Sequence, residues 1–247
     1  MRRPSPSYGS SFSSFGPGPL STALKALIGA NVIAFVITYF APGLLEYLGL
    51  VPKLVLTRLR VWQLATYMFL HGGIFHILFN MLALWMFGTE LERRWGTRYF
   101  LKFYFVTGIG AGALTVLFSL LPFPFAHQIY GSMIIGASGA IYGLLLAYAM
   151  SFPDRPILLI VFPVPAKIAV TILGAIALFS TLGDAGGVAN ATHLGGLLVA
   201  YLFLKGARLH PVSEVKYRYL KWKINRVRKK FDVYSGGRAN DYDRRVH

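Results

Sequence analysis

The chain has no cysteine and only nine acidic residues among its 247. Lacking cysteine, it can form no disulfide, thiolate metal site or cysteine nucleophile. Charge of either sign is scarce: 14% of residues are charged and 55% hydrophobic, where a soluble domain averages about 25% and about 45–50%. Residues 26–45, 61–89, 103–153 and 168–183 contain no Asp, Glu, Lys or Arg at all. Crossing hydrocarbon takes about 20 apolar residues. The 103–153 run is too long for one crossing, and its Leu-Pro-Phe-Pro-Phe break at 121–125 divides it in two. A last apolar stretch, 188–204, precedes Lys205, which makes six candidate helices. No strand-length alternation dominates, so an outer-membrane barrel fits poorly. The expected fold class is all-α, a polytopic membrane protein with a six-transmembrane-helix bundle.

The organisation expected is a Ser/Pro/Gly-rich segment at 1–22, a membrane domain at 23–206 and a basic tail at 207–247. The first apolar stretch is long enough to span and lacks a small-residue cleavage site, so it reads as an uncleaved first helix. Six spans put both termini on one side, and positive charge selects the cytoplasm. That choice places 22 of the 25 Lys and Arg inside, leaving only Lys53, Arg58 and Arg60 outside. After Leu204 there are thirteen Lys/Arg against four acids, nine of the net charge of +16. A basic run with interleaved Tyr217, Tyr219, Trp222 and Phe231 could touch nucleic acid, but beside a membrane helix the anionic inner leaflet is the expected partner. No nucleic acid is expected. The setting expected is the plasma, or inner, membrane, with both termini cytoplasmic.

Strongly polar side chains inside spans are costly, which makes them functional candidates. The second span holds His71, His76 and Asn80; the fourth opens with Gly136-Ala137-Ser138-Gly139; the sixth holds Asn190, Thr192 and His193. With the termini inside, helices two, four and six all run inward, and His76, Ser138 and His193 lie near their starts. They are therefore expected at similar depth. A fourth helix over residues 136–150 would rise about 22 Å at about 1.5 Å per residue, short of the about 30 Å of hydrocarbon. Its N-terminus would then begin below the surface, where irregular backbone is tolerated only inside protein or beside a water-filled cavity.

A serine hydroxyl becomes a nucleophile when an adjacent base takes its proton, and histidine suits that task near neutral pH. Ser138 and His193 supply the pair. Asp184, nine residues before His193 in a Gly-rich loop, is poorly placed to orient the ring, so a dyad is expected rather than a triad. Charge developing on a carbonyl oxygen needs fixed donors. The Ser138 N–H, His76 and Asn80 could provide them, the last two one turn apart on one helix face. Gly139, Gly143, Gly195, Gly196 and Ala200 would let helices four and six approach closely. Tyr142, one turn beyond Ser138, could stack on His193, and His71 reads as structural.

The strings His76-Ile-Leu-Phe-Asn80, Gly136-Ala-Ser-Gly139 with Tyr142, and His193-Leu-Gly-Gly196 with Ala200 resemble the signature segments of rhomboid proteases, in the family's order. Glu92-Arg-Arg-Trp-Gly96 looks like the family's cytoplasmic turn, and the resemblance covers about residues 24–205. It implies an intramembrane serine endopeptidase without a cofactor, acting on transmembrane protein substrates near small or helix-breaking residues. It implies Ser138 as nucleophile, His193 as general base and acid, His76 and Asn80 as oxyanion donors, and Tyr142 as support for His193. By the same similarity the fifth helix, 166–183, would be a lateral gate. The family's first loop often carries Trp-Arg, where this chain has Trp62-Gln63.

Three rival readings stand beside this one. A catalytically dead relative would usually lack the serine or the histidine, and both are here. A transporter often shows internal repeats, but His-x-x-x-Asn has no counterpart in helix five. A zinc site from His71, His76 and His193 would lack a carboxylate second shell, so no metal is expected.

Overall fold

The computed structural model describes residues 18–159, 162–182, 187–208, 221–224 and 226. Asp184, most of the N-terminal segment and most of the basic tail lie outside them. The chain divides into two compact units, residues 1–204 and 205–247.

In the first unit α1 (Thr22–Phe40) opens at an N-cap, Ser21, whose Oγ accepts the Leu24 N–H. Three short helices follow, α2 (Gly43–Leu48), α3 (Pro52–Arg58) and α4 (Gln63–Thr66), then a single 3-10 turn at Tyr67–Phe69. The long α5 (Ile74–Trp95) and α6 (Thr97–Phe118) are joined by Gly96 alone. After α7 (Pro124–Gly131) come α8 (Ser138–Ser151), a hairpin of β1 (Pro156–Leu159) and β2 (Phe162–Pro165), α9 (Ala166–Leu182) and α10 (Gly187–Arg208). Among the described residues α1, α5 and α6 are long and apolar enough to cross a membrane by length and composition alone, and α8 and α9 are shorter apolar helices.

The hairpin was not expected from the sequence, which assigns no element to the connection between a helix ending near residue 150 and one beginning at 166. The fourth long helix also starts two residues later than expected, at Ser138, because Gly136 turns out of helical geometry at φ +128°.

Lipid is as apolar as leucine, so close packing and interhelical hydrogen bonds hold such a bundle rather than hydrophobic exclusion. The central element is α6, which packs against α4, α5 and α8. Its glycines admit neighbours: Gly108 receives the end of Met68, and Gly112 the ring of Tyr67. Two buried hydroxyls find partners on other elements. Tyr67 Oη donates to the Gly108 carbonyl at 2.7 Å, and Thr115 Oγ1 lies 3.0 Å from Thr192 Oγ1.

The first loop is tied by the residue that differs from the family's pattern. Gln63 is fully buried; its Oε1 accepts the Val51 N–H at 3.1 Å and its Nε2 donates to the Tyr47 carbonyl at 3.2 Å. Trp62 Nε1 donates to that same carbonyl at 3.1 Å. An amide both donates and accepts, so it can satisfy two loop strands without burying a charge.

Candidate active site

The N-terminal ends of α5, α8 and α10 converge. His193, in the second turn of α10, brings its Nε2 to 2.8 Å from the Oγ of Ser138, the first residue of α8. The residues are 55 apart in sequence. As the first helical residue, Ser138 has an N–H without a partner four residues back, at the positive end of the helix dipole. The Tyr142 ring lies face to face with the His193 imidazole, centroids 4.1 Å apart and planes within 7°. The buried Nδ1 of His193 has no hydrogen-bond partner among the described residues.

Gly136 opens the space between this pair and α5. A β-carbon there would lie 2.8 Å from His76 Nε2 and 3.6 Å from Ser138 Oγ. The missing side chain therefore leaves a volume bordered by both groups. The positive φ of Gly136 is a region that L side chains rarely adopt. Its position is fixed by its N–H, which donates to the Tyr67 carbonyl at 2.9 Å. Two residues earlier, Ile134 pairs with Leu50 of the first loop through hydrogen bonds of 2.8 and 3.0 Å. The segment leading to Ser138 is thus held from one side by the first loop and from below by Tyr67.

Asn80 lies one turn from His76 on α5 and is buried; its Nδ2 donates to the His76 carbonyl at 2.7 Å, which leaves the second amide hydrogen. His76 Nδ1 faces the Gly72 N–H at 3.4 Å, which turns Nε2 toward Gly136. His71 is buried with its ring edge-on to His76, centroids 4.9 Å apart. Among the described residues no three His, Asp or Glu side chains form a group that could hold a metal ion.

Of the small residues expected to bring α8 and α10 together, Gly139 and Gly196 do so. A β-carbon on Gly196 would overlap the Gly139 carbonyl oxygen and sit 2.9 Å from its carbonyl carbon. Gly143 and Gly195 do not meet across that interface. Gly143 faces Thr107 of α6 and Gly195 faces the backbone of Ala111, so the intervening contact is with the central helix. Ala200 is fully buried. Tyr67 was missed by sequence reasoning. It is one aromatic among many in an apolar run, and its role is set by a backbone carbonyl, which leaves no residue pattern.

The long apolar helices define an integral, multi-pass membrane protein. Residues 58–208 match the family model described as the Rhomboid domain. The chain is 35% identical over 184 residues to the Saccharomyces cerevisiae protein named "Rhomboid protein 1, mitochondrial", covering 72% of this chain and 51% of that one. It is 36% identical over 139 residues to "Rhomboid protease GluP" of Bacillus subtilis, covering 56% of this chain and 24% of that protein. With "Rhomboid protease GlpG" of Yersinia pestis it shares 31% identity over 145 residues, 58% of this chain and 47% of that protein. The chain belongs to the rhomboid family. It spans about half the length of the yeast and Yersinia relatives, and about a quarter of the Bacillus one.

Proposed function

We propose that this protein is an intramembrane serine endopeptidase that hydrolyses peptide bonds in or beside transmembrane segments of other membrane proteins. The observation that carries this reading is the 2.8 Å contact between Ser138 Oγ and His193 Nε2 across two apolar helices. The names of the Bacillus and Yersinia relatives add support, since both are called proteases.

In the mechanism Ser138 Oγ attacks the scissile carbonyl carbon while His193 Nε2 takes its proton. The oxyanion is met by the Ser138 N–H with His76 and Asn80. His193 then protonates the leaving amine, whose bond to carbon breaks to leave an ester on Ser138. Water attacks the ester with His193 again as base, and Ser138 recovers its proton. A helical peptide bond is shielded by its own hydrogen bonds, so substrates with small or helix-breaking residues near the cut should be preferred. On this reading α9 is the side through which such a helix enters.

The test is cleavage of a model single-span substrate by purified protein in detergent. Ser138→Ala and His193→Ala should each abolish cleavage while leaving the fold, and a fluorophosphonate probe should label Ser138. Full activity in Ser138→Ala would overturn the mechanism.

The organisation proposed remains a cytoplasmic segment at 1–22, a membrane domain at 23–206 and a cytoplasmic basic tail at 207–247 against the anionic inner leaflet of the plasma membrane. Because the chain has no cysteine, Ser235→Cys tests the orientation directly. An impermeant maleimide should modify it only from the cytoplasmic side; modification from the outside would invert the topology.

A further inference from the structure

The connection between α8 and α9 contains ten consecutive residues, 156–165, without one polar or charged side chain. Its strands pair antiparallel, Pro156 with Pro165 and Leu159 with Phe162. A two-stranded hairpin is marginal by itself in water, and a connection bathed in water would be expected to be polar. Here Ile157 turns inward and is buried, lining a crevice with Met86, Phe87 and Tyr148. Phe162 turns outward and is 70% exposed, and Pro163 beside it is also exposed.

The chain's own connectivity says where this surface sits. Ser151 ends α8 and Pro156 begins β1; at the other side Pro165 is followed directly by Ala166, the first residue of α9. The base is pinned to α9, with the Ala166 N–H donating to the Arg155 carbonyl at 2.9 Å and the Lys167 N–H to that of Pro153 at 3.0 Å. The hairpin therefore stays at the bilayer end of two apolar helices.

Around its base stand four cations, Arg93, Arg94, Arg155 and Lys167, against two carboxylates, Glu90 and Asp154. Arg94 and Arg155 both lie over the Phe152 ring, at 5.3 and 4.3 Å. Exposed apolar side chains at Phe162 and Pro163 beside a basic base complement a layer of acyl chains beneath lipid phosphates. A protein strand is a poorer occupant. Pro156, Pro163 and Pro165 have no N–H to offer a strand adding at the edge.

We propose that the hairpin formed by β1 and β2 is an interfacial insertion element, with Phe162 and Pro163 seated at the headgroup–acyl boundary of the leaflet where α8 ends and α9 begins. The absence of native cysteine permits a direct test. Phe162→Cys and Pro163→Cys variants of the full chain are labelled with an environment-sensitive fluorophore and reconstituted into phosphatidylcholine–phosphatidylglycerol vesicles, with iodide on both sides. Emission should shift to the blue on reconstitution. Lipids carrying a nitroxide near the acyl carbonyl should quench it several-fold more than iodide does. Efficient quenching by iodide with none from the lipid nitroxide, at both positions, would place the hairpin in water and overturn the proposal. Shielding from both quenchers would also overturn it, in favour of a protein partner or a second copy.

Discussion

At Nε2 the His193 imidazole meets Ser138, and at Nδ1 it meets no hydrogen-bonding group among the described residues. If Nε2 accepts the serine proton, Nδ1 carries the ring's hydrogen. The Tyr142 ring stacked within 7° orients the imidazole by packing. Such a contact is worth roughly 0.5–1.5 kcal/mol beyond area burial. Tyr142→Phe should keep near-normal turnover, while Tyr142→Ala should lower kcat by up to about tenfold. Steady-state kinetics on a model substrate checks both, and equal losses would assign the role to the hydroxyl instead. For the oxyanion, His76→Ala or Asn80→Ala should reduce kcat about a hundred- to a thousandfold, the range of a lost fixed donor. A loss of less than about twofold would leave these residues as packing alone. His76 is the stronger case, since its Nε2 borders the Gly136 opening whereas one Asn80 hydrogen is already used on α5.

Between elements, the distance that matters is set by backbone. The Gly139 carbonyl fills the place where a Gly196 side chain would be, so α8 and α10 touch without intervening atoms. One added methyl must push the helices apart, an overpacking that typically costs about 1–3 kcal/mol. Gly196→Ala should lower the melting temperature and slow probe labelling of Ser138 together. Gly29→Ala in α1, where an added β-carbon meets nothing within 4 Å, should neither lower the melting temperature nor slow labelling. Thermal unfolding and labelling rates measured side by side decide it; normal labelling in Gly196→Ala would show that the interface yields. Small residues at four-residue spacing were legible in the sequence as a packing signal. Which helix each would face was not, because α6 takes Gly143 and Gly195 for itself, and periodicity identifies a helix face without naming its neighbour.

Across the whole molecule, the end opposite the candidate site is clasped by a carboxylate. Glu92 is 6% exposed and accepts from Ser21 Oγ at the start of α1 and from Thr97 Oγ1 at the start of α6, the latter at 2.7 Å. One side chain at the end of α5 thereby joins the beginnings of two other helices. Glu92→Ala would strand both hydroxyls and should destabilise the bundle by about 1.5–3 kcal/mol, the range for hydrogen bonds to a charged group. Glu92→Gln, keeping one acceptor, should lose less. Unfolding monitored in detergent gives the order; equal stability of all three proteins would remove Glu92 from the framework.

Composition and charge alone determined that this chain belongs in lipid, because long uncharged runs can be satisfied only there. The residues of the candidate site were also legible, since a hydroxyl, imidazoles and an amide are conspicuous inside apolar segments. Tertiary structure decided the rest. It aimed His76 Nε2 at the space beside Gly136, drew Tyr67 beneath the same loop through a carbonyl, and folded residues 156–165 into a hairpin whose uniformly apolar residues carry no strand alternation. The reason is physical: solvent preference is a property of each side chain, whereas a 2.8 Å contact between residues 55 apart depends on how three helices pack at once.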